Sequence, residues 1–528
     1  MASVDTAKVD EIFAEWDKED SPGCALGVVH GGELIYARGY GSANLDLGVP
    51  ISPASVMHVA SVSKQFTAIS IGILAREGKL SLEDDVRKYV PELPEFGHVI
   101  RLRHLIHHTS GLRDQYGLFR LAGWRDDDVQ AFSDVLDFAF NHRRLNFEPG
   151  SEYSYCNTSY TLMALTVERV SGLKLREFVS KRVLMPLDMT HSHIHDDVTE
   201  IVPNRASAYA PRDSGGFKVA DSNVEVPGAI CVYTSVEDLA RWVRNFERRD
   251  VAGDVLDDAI NPGLLNDGTT QGYGYGLTIG NYRGLRTVSH GGVDSGYRAE
   301  MLWFPDVDFG VIVLANLSAI KPGWLARKVT DLYLKESLTS DELIDTPAIE
   351  LSAEEMEAFS GLYRDERRSL TRRVTVKDGK LMVNGPFGDP MALEPFEQGR
   401  FRLGLPPQEI QIQPRADGAL EYHELMPSHP TAVFTAAEVA TPNAEALSTY
   451  AGTYFCSDIN TRYTFFVRDG KLIARLPRRT DRELEPTVTD AFSTESIDLV
   501  FVRDGRGDIT ACEVFADRIR HLRFDRER

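Results

Sequence analysis

Cysteine is scarce in this sequence, and no two cysteines form a redox or metal-binding pair. The 528 residues include only five: Cys24, Cys156, Cys231, Cys456 and Cys512, with no C-x-x-C spacing among them. A secreted disulfide framework needs an even set of paired cysteines, and a zinc site needs closely spaced ones. We therefore expect reduced thiols in a cytoplasmic protein.

Basic residues and long apolar runs are also in short supply. Lys and Arg number 58 against 79 Asp and Glu, a net charge of −21. An acidic surface repels phosphate, which argues against a nucleic-acid partner. No stretch approaches the roughly 18 apolar residues of a membrane span, so we expect no membrane partner. The first residues show neither the basic nor the apolar region of a signal peptide, which favours a cytoplasmic location.

Strand and helix signals are mixed over the first 335 or so residues. Residues 24–43 form two apolar runs about a Gly-Gly turn and predict a β-hairpin. Residues 63–80 are apolar on all sides and stop near Gly78, which predicts a buried helix. Residues 273–317 predict three strands, the last over 310–314. Strands at both ends with helices between them indicate an α+β domain with an antiparallel sheet.

An internal repeat follows an acidic linker that begins after Leu338. Gly361 and Tyr363 recur as Gly452 and Tyr454, and the segment 378–381 recurs as 469–472, always 91 residues apart. One shared offset without a gap indicates duplication. Each unit alternates polar and apolar residues around Asp-Gly turns. We predict one domain over 1–338 and two small antiparallel β-barrels or sandwiches over 339–440 and 441–528.

Three Ser-x-x-Lys patterns occur in the chain. Residues three apart on a helix share a face, so the lysine can reach the serine hydroxyl. Ser171 lies at the glycine-terminated end of a helical pattern, and Ser318 lies in a predicted loop. Ser61 precedes the buried helix, whose N-terminal N–H groups favour a developing anion. Lys64, if buried, would have the lowered pKa of a general base. The alternative is an N-capping serine beside a surface lysine.

Two further segments place polar residues where they can join such a site. Tyr155 and Asn157 lie two apart between a Pro-Gly turn and an apolar helix, and in extended backbone both would face one cleft. A lysine nearby would make Tyr155 easier to ionise. The alternative is a tyrosine that only packs by its ring. His290, Gly291 and Gly292 at a strand end would allow close approach of a ligand, although His-Gly-Gly is often only a turn.

Together these segments resemble the penicillin-recognising serine hydrolase family of class C β-lactamases, DD-peptidases, esterases and D-aminopeptidases. The S-x-x-K, Y-x-N and H-x-G motifs of that family occur in order at 61–64, 155–157 and 290–292. Companion stretches at 101–112 and 276–317 also match. The resemblance covers residues 20 to 335. It implies a β-lactamase/DD-peptidase-like fold, with an antiparallel sheet, helices on both faces and a helical subdomain.

The resemblance also implies an acyl-enzyme mechanism without metal or cofactor. The implied site residues are catalytic Ser61, Lys64 and Tyr155, with supporting Asn157, His290, Gly291, Gly292 and Val293. Ser61 would attack the acyl carbonyl while Lys64 and Tyr155 manage the proton. Asn157 would hold the substrate or Lys64, and His290 would orient Tyr155 or the leaving group. The backbone N–H groups of Ser61 and Val293 would form the oxyanion hole.

Among family members, D-aminopeptidases have the most similar layout, with two β-barrels after the catalytic domain. The stretches SVSKQFT, SGLRD and FEPGSEYSYCN support this likeness. We expect a D-stereospecific aminopeptidase or amidase that acts on small peptides or amides, with homodimers implied by the family. His290 replaces the lysine of a K-T-G motif, which weakens the expectation of a β-lactam or terminal carboxylate ligand. The alternatives are a carboxylesterase, a DD-carboxypeptidase or β-lactamase-type enzyme, and a non-enzymatic sensor.

Two other segments carry weaker hypotheses. Residues 477–486 are more charged than their counterpart in the first repeat, and they are a candidate loop for reaching the catalytic cleft. His191, His193 and His195 alternate, a spacing that would suit a metal if they shared a strand face. The resemblance places them in a short connection, and we expect no metal there.

Overall fold

The computed structural model describes residues 4–125, 127–384, 390–425, 430–494, 497–516 and 518–528. Its N-terminal part is built on a six-stranded antiparallel sheet: β1 Cys24–His30, β2 Glu33–Tyr40, β3 Thr278–Tyr282, β4 Leu285–Asp294, β5 Tyr297–Phe304 and β6 Phe309–Ala315. The order across the sheet is β3-β4-β5-β6-β1-β2. The N-terminal hairpin therefore pairs with the last strand of the domain, as the α+β prediction requires.

The prediction of three strands over 273–317 is wrong, because this segment forms the four strands β3 to β6. The missed boundary is a two-residue turn at Arg283 and Gly284, which both have positive φ, at 48° and 87°. Such a tight turn matches the twist of a hairpin but contains no Asn-Gly or Asp-Gly signal.

Thirteen helices lie among the described residues: α1 Thr6–Phe13, α2 Lys64–Arg76, α3 Leu102–Ile106, α4 Gln115–Leu121, α5 Phe132–Asn141, α6 Asn157–Ser171, α7 Leu175–Val179, α8 Val236–Arg248, α9 Val255–Ala259, α10 Pro322–Tyr333, α11 Glu342–Asp345, α12 Ala353–Phe359 and α13 Ala444–Thr449. The predicted helix α2 is buried and is followed by Gly78 at φ 68°. None of the described helices combines the length and apolar composition needed to cross a membrane.

The central sheet is covered on both faces, as predicted. Along β1, Leu26 and Val28 belong to a core shared with α1 and α10. The alternate residues Ala25 and Val29 belong to a second core with α2, α6 and α8. This alternation is the period of two that a strand buried on both faces requires. Short strands complete the domain: Ser42–Asn44, Val49–Pro50, Met57–His58, Gln130–Ala131, His193–Ile194, Tyr209–Pro211, Phe217–Val219, Val224–Glu225 and Val232–Thr234.

Two closed eight-stranded barrels follow, which confirms the predicted fold class. The first comprises Gly361–Asp365, Leu370–Lys377, Lys380–Asn384, Pro390–Glu397, Arg400–Leu403, Gln408–Pro414, Leu420–Leu425 and Ala432–Ala437. The second comprises Gly452–Cys456, Thr461–Arg468, Lys471–Arg475, Arg482–Pro486, Ala491–Ser493, Asp498–Arg503, Ile509–Ala516 and Ile519–Arg526. The first three strands of each begin 91 residues apart, the offset of the sequence repeat. The domain boundaries at 338 and 440 stay predictions.

The second barrel packs against the helices of the N-terminal part. Leu118 and Leu121 of α4 belong to the apolar core of that barrel. The hydroxyl of Tyr463 donates to the carbonyl of Leu121 at 2.8 Å. Arg113 and Asp458 form a buried ion pair between the two units, with 2.9 Å from Nη1 to Oδ2. These contacts bring one edge of the barrel close to the motifs that precede α4 and α6.

Candidate active site

Ser61 lies on a 3₁₀ turn, Ala60–Ser63, that runs directly into α2. Ala60 has a φ of 46°, a left-handed conformation that is strained for a residue with a side chain and is typical of functional sites. Ser63 fixes the turn by accepting a hydrogen bond from the Val232 N–H at 2.9 Å. The nucleophile predicted from sequence thus lies at the start of a helix that is buried from Lys64 to Leu74.

Lys64 is completely buried, with its Nζ 3.2 Å from Ser61 Oγ. It also contacts Asn157 Oδ1 at 2.7 Å and the Ala229 carbonyl at 2.8 Å. Burial lowers the pKa of Lys64 well below its ordinary value, although the charge of Asp114 opposes this shift. A neutral amine has two N–H bonds and one lone pair. Because two acceptors take the N–H bonds, the lone pair is left for the Ser61 hydroxyl.

Asp114 orients Asn157. Its Oδ2 accepts from both the backbone N–H and the side-chain Nδ2 of Asn157, each at 2.7 Å. The Asn157 Oδ1 is therefore turned toward Lys64. The other oxygen of Asp114 caps α4 by accepting from the Tyr116 N–H at 3.0 Å. Sequence reasoning did not single out Asp114, although it ends the SGLRD stretch that supported the family resemblance.

Tyr155 lies beside Lys64, whose Nζ is 4.7 Å from the centroid of the tyrosine ring. Burial raises the pKa of Tyr155, and this outweighs the lowering by the side chains of Ser61 and Tyr273. The expectation that Tyr155 ionises easily is therefore wrong, because removal of water from the phenolate costs more than the neighbouring charges return. The site holds an amine of lowered pKa beside a phenol of raised pKa.

His290 forms a hydrogen bond with Tyr273, and its ring centroid lies 6.1 Å from that of Tyr155. Its Nε2 is 2.8 Å from the Tyr273 hydroxyl, and its Nδ1 is 2.6 Å from the Gly291 carbonyl. Burial, followed by the charge of Lys64, lowers the pKa of His290 to about 3, so the ring is neutral. A carbonyl only accepts, so we assign the proton to Nδ1, and Nε2 accepts from Tyr273. Tyr273 is a linking residue that the sequence interpretation missed.

The glycines of the third motif let β4 pass directly against the turn that carries Ser61. A Cβ on Gly292 would lie 2.2 Å from the Val59 carbonyl oxygen and 3.2 Å from the Ala60 Cβ. A Cβ on Gly291 would instead meet the end of the Glu300 side chain at 3.0 Å. Val293 follows on the same strand with its side chain 67% exposed. The oxyanion hole of Ser61 and Val293 N–H groups stays a prediction.

The second barrel reaches this site through a different segment from the one expected. In the 477–486 segment, Arg478 pairs with Asp128 at 2.7 Å and Arg479 donates to the Trp124 carbonyl at 3.3 Å. Arg518, in the last hairpin, has its guanidinium 4.7 Å from the Tyr155 ring centroid. The contact between barrel and site is therefore made by a cation near the end of the repeat.

The other residues considered from the sequence make structural contacts. Ser171 bonds within the last turn of α6, with its hydroxyl donating to the Val167 carbonyl at 2.6 Å. His193, His195 and Glu200 bring their ligand atoms within 4.8 Å of one another. Arg176 donates to both oxygens of Glu200, at 2.7 and 2.5 Å, so this carboxylate already has a cationic partner.

The amino-acid sequence is similar to those of several described proteins. Penicillin-binding protein 4* of Bacillus subtilis is 29% identical over 306 residues, which cover 54% of this chain and 66% of that protein. A D-aminopeptidase of Gluconobacter oxydans is 25% identical over 451 residues, covering 83% of this chain and 80% of the relative. Other D-aminopeptidases match over less of their length, for example 60% in Brucella anthropi.

The fold is also shared with solved structures. The octameric penicillin-binding protein homologue from Pyrococcus abyssi superimposes with a TM-score of 0.57 at 22% identity, covering 90% of this chain and 99% of that one. The Beta-lactamase family model matches residues 9–329, which include all three motifs. The chain therefore belongs to the Beta-lactamase family.

Proposed function

We propose that this protein is a serine hydrolase that works through an acyl-enzyme, and that it is a D-stereospecific aminopeptidase or amidase. It would release N-terminal D-amino acids from small peptides and amides. The observation that carries the hydrolase proposal is the Lys64 amine, buried and 3.2 Å from Ser61 Oγ. Two acceptors hold its N–H bonds, which leaves a base directed at the nucleophile.

In the proposed reaction, the Ser61 oxygen bonds to the acyl carbon as its proton passes to Lys64. The N–H groups of Ser61 and Val293 would stabilise the oxyanion by roughly 3 kcal/mol each. Tyr155, beside both residues, would pass the proton to the leaving nitrogen as its bond to the acyl carbon breaks. Water then attacks the ester on Ser61 and gives its proton to Lys64, and this proton passes to Ser61 Oγ as its bond to the acyl carbon breaks and the acid is released.

The D-amino acid specificity is supported by the D-aminopeptidase of Gluconobacter oxydans, whose match extends into the barrels. A carboxylesterase would use the same catalytic residues, since an ester needs less protonation of its leaving group. A DD-carboxypeptidase or β-lactamase-type activity is the second alternative, supported by the similarity to penicillin-binding protein 4*. The three alternatives differ in substrate and share Ser61.

The deciding experiment compares D-alanine p-nitroanilide, its L-isomer and p-nitrophenyl acetate with the wild type and Ser61→Ala. Cleavage of the D-amide alone, abolished in Ser61→Ala, supports the aminopeptidase. Cleavage of the ester alone moves the protein to the esterases. Activity that survives in Ser61→Ala would contradict the role of Ser61.

We also keep the cytoplasmic location and a homodimer as part of the proposal. The five cysteines are free and buried, which suits a reducing compartment. Light scattering of the purified protein tests the oligomeric state, and a relative described as octameric marks the larger assembly as the contrary outcome.

A further inference from the structure

The last hairpin of the second barrel is held against the catalytic domain by its backbone. The side chain of Asn146 donates to the Arg518 carbonyl and accepts from the Arg520 N–H, both at 2.8 Å. Arg113 donates to the carbonyls of Arg520 and His521, at 3.1 and 2.9 Å. None of these contacts uses the Arg518 side chain. These four hydrogen bonds hold the hairpin through its backbone.

The packing at this hairpin is equally close. Ile519 is fully buried, and a Cβ added to Gly117 would lie 2.7 Å from its Cγ1. Arg520 donates to Glu152 Oε2 at 3.0 Å, which fixes the strand on the far side of the turn. The residues that follow Arg518 thus pack against α4 and bind the segment before Tyr155.

Arg518 brings a permanent positive charge to the catalytic residues. Its guanidinium and the Lys64 Nζ each lie 4.7 Å from the centroid of the Tyr155 ring. Its Nη1 is 4.0 Å from Asp114 Oδ2, and its side chain is 32% exposed. Burial lowers the pKa of Lys64 well below its ordinary value and that of His290 to about 3. An arginine stays charged at any working pH, so Arg518 is a permanent cation at this site.

We propose that Arg518 is a specificity residue of the active site, which selects substrates whose leaving group carries a carboxylate. The inference rests on the proposed function, in which Tyr155 delivers the proton to the leaving group. A cation on the Tyr155 ring therefore lies on the leaving-group side of the scissile bond. A carboxylate there would be attracted to the guanidinium, and an ammonium would be repelled. For an aminopeptidase, the favoured substrates are short peptides with a free C-terminus.

The test uses two substrate pairs that differ only in this charge. One pair is D-alanylglycine and its C-terminal amide, and the other is m-carboxyphenyl acetate and m-carbamoylphenyl acetate. For the wild type we expect kcat/KM to favour the carboxylate by about 10- to 100-fold, the range of one charge-assisted interaction. Arg518→Gln should bring the ratio close to one, and Arg518→Lys should keep part of it.

Arg523→Gln is the matched control, because Arg523 lies on the same hairpin and pairs with Asp525 at 2.7 Å. It should leave the ratio unchanged. A wild-type ratio near one, or an Arg518→Gln variant that slows both members of a pair equally, would overturn the proposal. A wild type that cleaves only the esters overturns the aminopeptidase function but still tests Arg518. A wild type that cleaves neither pair overturns both.

The pH profile gives a second readout that a purely structural role would not change. The charge of Arg518 lowers the pKa of Lys64 and that of Tyr155. Its removal raises both values, so the acid limb of kcat/KM should move to higher pH in Arg518→Gln and not in Arg523→Gln. An acid limb that stays in place would contradict an electrostatic role.

Discussion

Asp114 acts on Lys64 through one intermediate residue, since it orients the Asn157 amide that accepts from Lys64. Asp114→Asn keeps only one acceptor oxygen, so its NH2 group must face either the two Asn157 donors or the Tyr116 N–H donor. We expect kcat to fall about 10- to 100-fold, as for other residues that orient an active-site ligand. The charge of Asp114 raises the pKa of Lys64, so its loss should shift the acid limb of kcat/KM to lower pH.

The control for this prediction is Asp134→Asn. Asp134 accepts from the Ala131 N–H at 2.9 Å and caps α5 without orienting Asn157. Its replacement should change stability and leave the pH profile alone. An acid limb of kcat/KM that stays in place, or moves to higher pH, in Asp114→Asn would contradict an action of the carboxylate on Lys64.

From the structure, we expect His290 to act through Tyr273, since its Nε2 accepts from that hydroxyl at 2.8 Å. Tyr273→Phe should lower kcat about tenfold or more, and His290→Gln should add no further loss in the Tyr273→Phe background. Coupled residues fail to add in a double-mutant cycle. The kcat values of the four proteins measure the coupling, and additive losses would indicate that His290 contacts Tyr155 or the substrate directly.

Contacts between single residues were predictable where the two residues are close in the sequence. Ser61 and Lys64 share a helical face, and the spacing of three residues reveals it. Asp114 and Tyr273 act across contacts of 43 and 17 residues, which no periodicity records. The sequence interpretation also had the wrong sign for the pKa of Tyr155, because the number of groups that exclude water from a hydroxyl is not visible in its neighbours along the chain.

At the scale of elements, the approach of β4 to the Ser61 turn predicts a difference between two adjacent glycines. Gly292→Ala would place a Cβ 2.2 Å from the Val59 carbonyl oxygen, so the strand must move away from Ser61. A Cβ on Gly291 would meet the end of the Glu300 side chain at 3.0 Å and the Ala299 carbonyl oxygen only at 3.7 Å. We expect Gly292→Ala to lose at least about 100-fold in kcat, comparable to the loss of an oxyanion donor.

Gly291→Ala should retain most of the activity and serves as the matched control for volume and backbone entropy. Comparable activity in the two variants would show that β4 does not limit the geometry at Ser61. Circular dichroism on both proteins separates misfolding from a local shift.

Most elements were predictable, because their hydrophobic periods are long and their ends are marked by glycine. The helix α2 and its terminator Gly78 are the clearest example. The division of 273–317 into four strands was not, since the turn at Arg283 depends on positive φ at a residue that rarely adopts it.

At the scale of the whole molecule, the two barrels meet at a buried carboxylate. Asp498 of the second barrel accepts from the backbone N–H and the hydroxyl of Thr371 in the first, at 3.3 and 2.5 Å. Burial raises the pKa of Asp498 to about 6, from an ordinary value of 3.8. The folded state therefore favours the protonated form. Its contribution to stability is greatest below about pH 4 and is lost as the pH rises through 6.

Asp498→Asn mimics the protonated form and should remove this loss. We expect the variant to gain up to roughly 3 kcal/mol over the wild type at pH 8, and little at pH 4. Urea unfolding at the two pH values measures the difference. Asp490→Asn is the control of opposite sign, because Arg503 lowers the pKa of Asp490, and its loss should destabilise the protein at pH 8.

The duplication was predictable from its constant offset, and the closure of each barrel from its alternating strands. Which barrel docks on the active site was not, because the two copies have similar apolar patterns. The second copy places Asp458 against Arg113 and Ile519 against Gly117, whereas the first copy places Arg367 and Arg368 against Glu152.

The position of Arg518 in the chain has a consequence for biosynthesis. The ribosome makes Ser61 early and Arg518 about 450 residues later. At roughly 5–20 residues per second, this interval lasts about 20 to 90 s. During that time the N-terminal domain can fold around Lys64 and Tyr155, but the guanidinium that lies over the Tyr155 ring is still missing. A nascent chain would therefore hold its nucleophile without its full substrate selectivity, which would appear only once the second barrel has folded and docked.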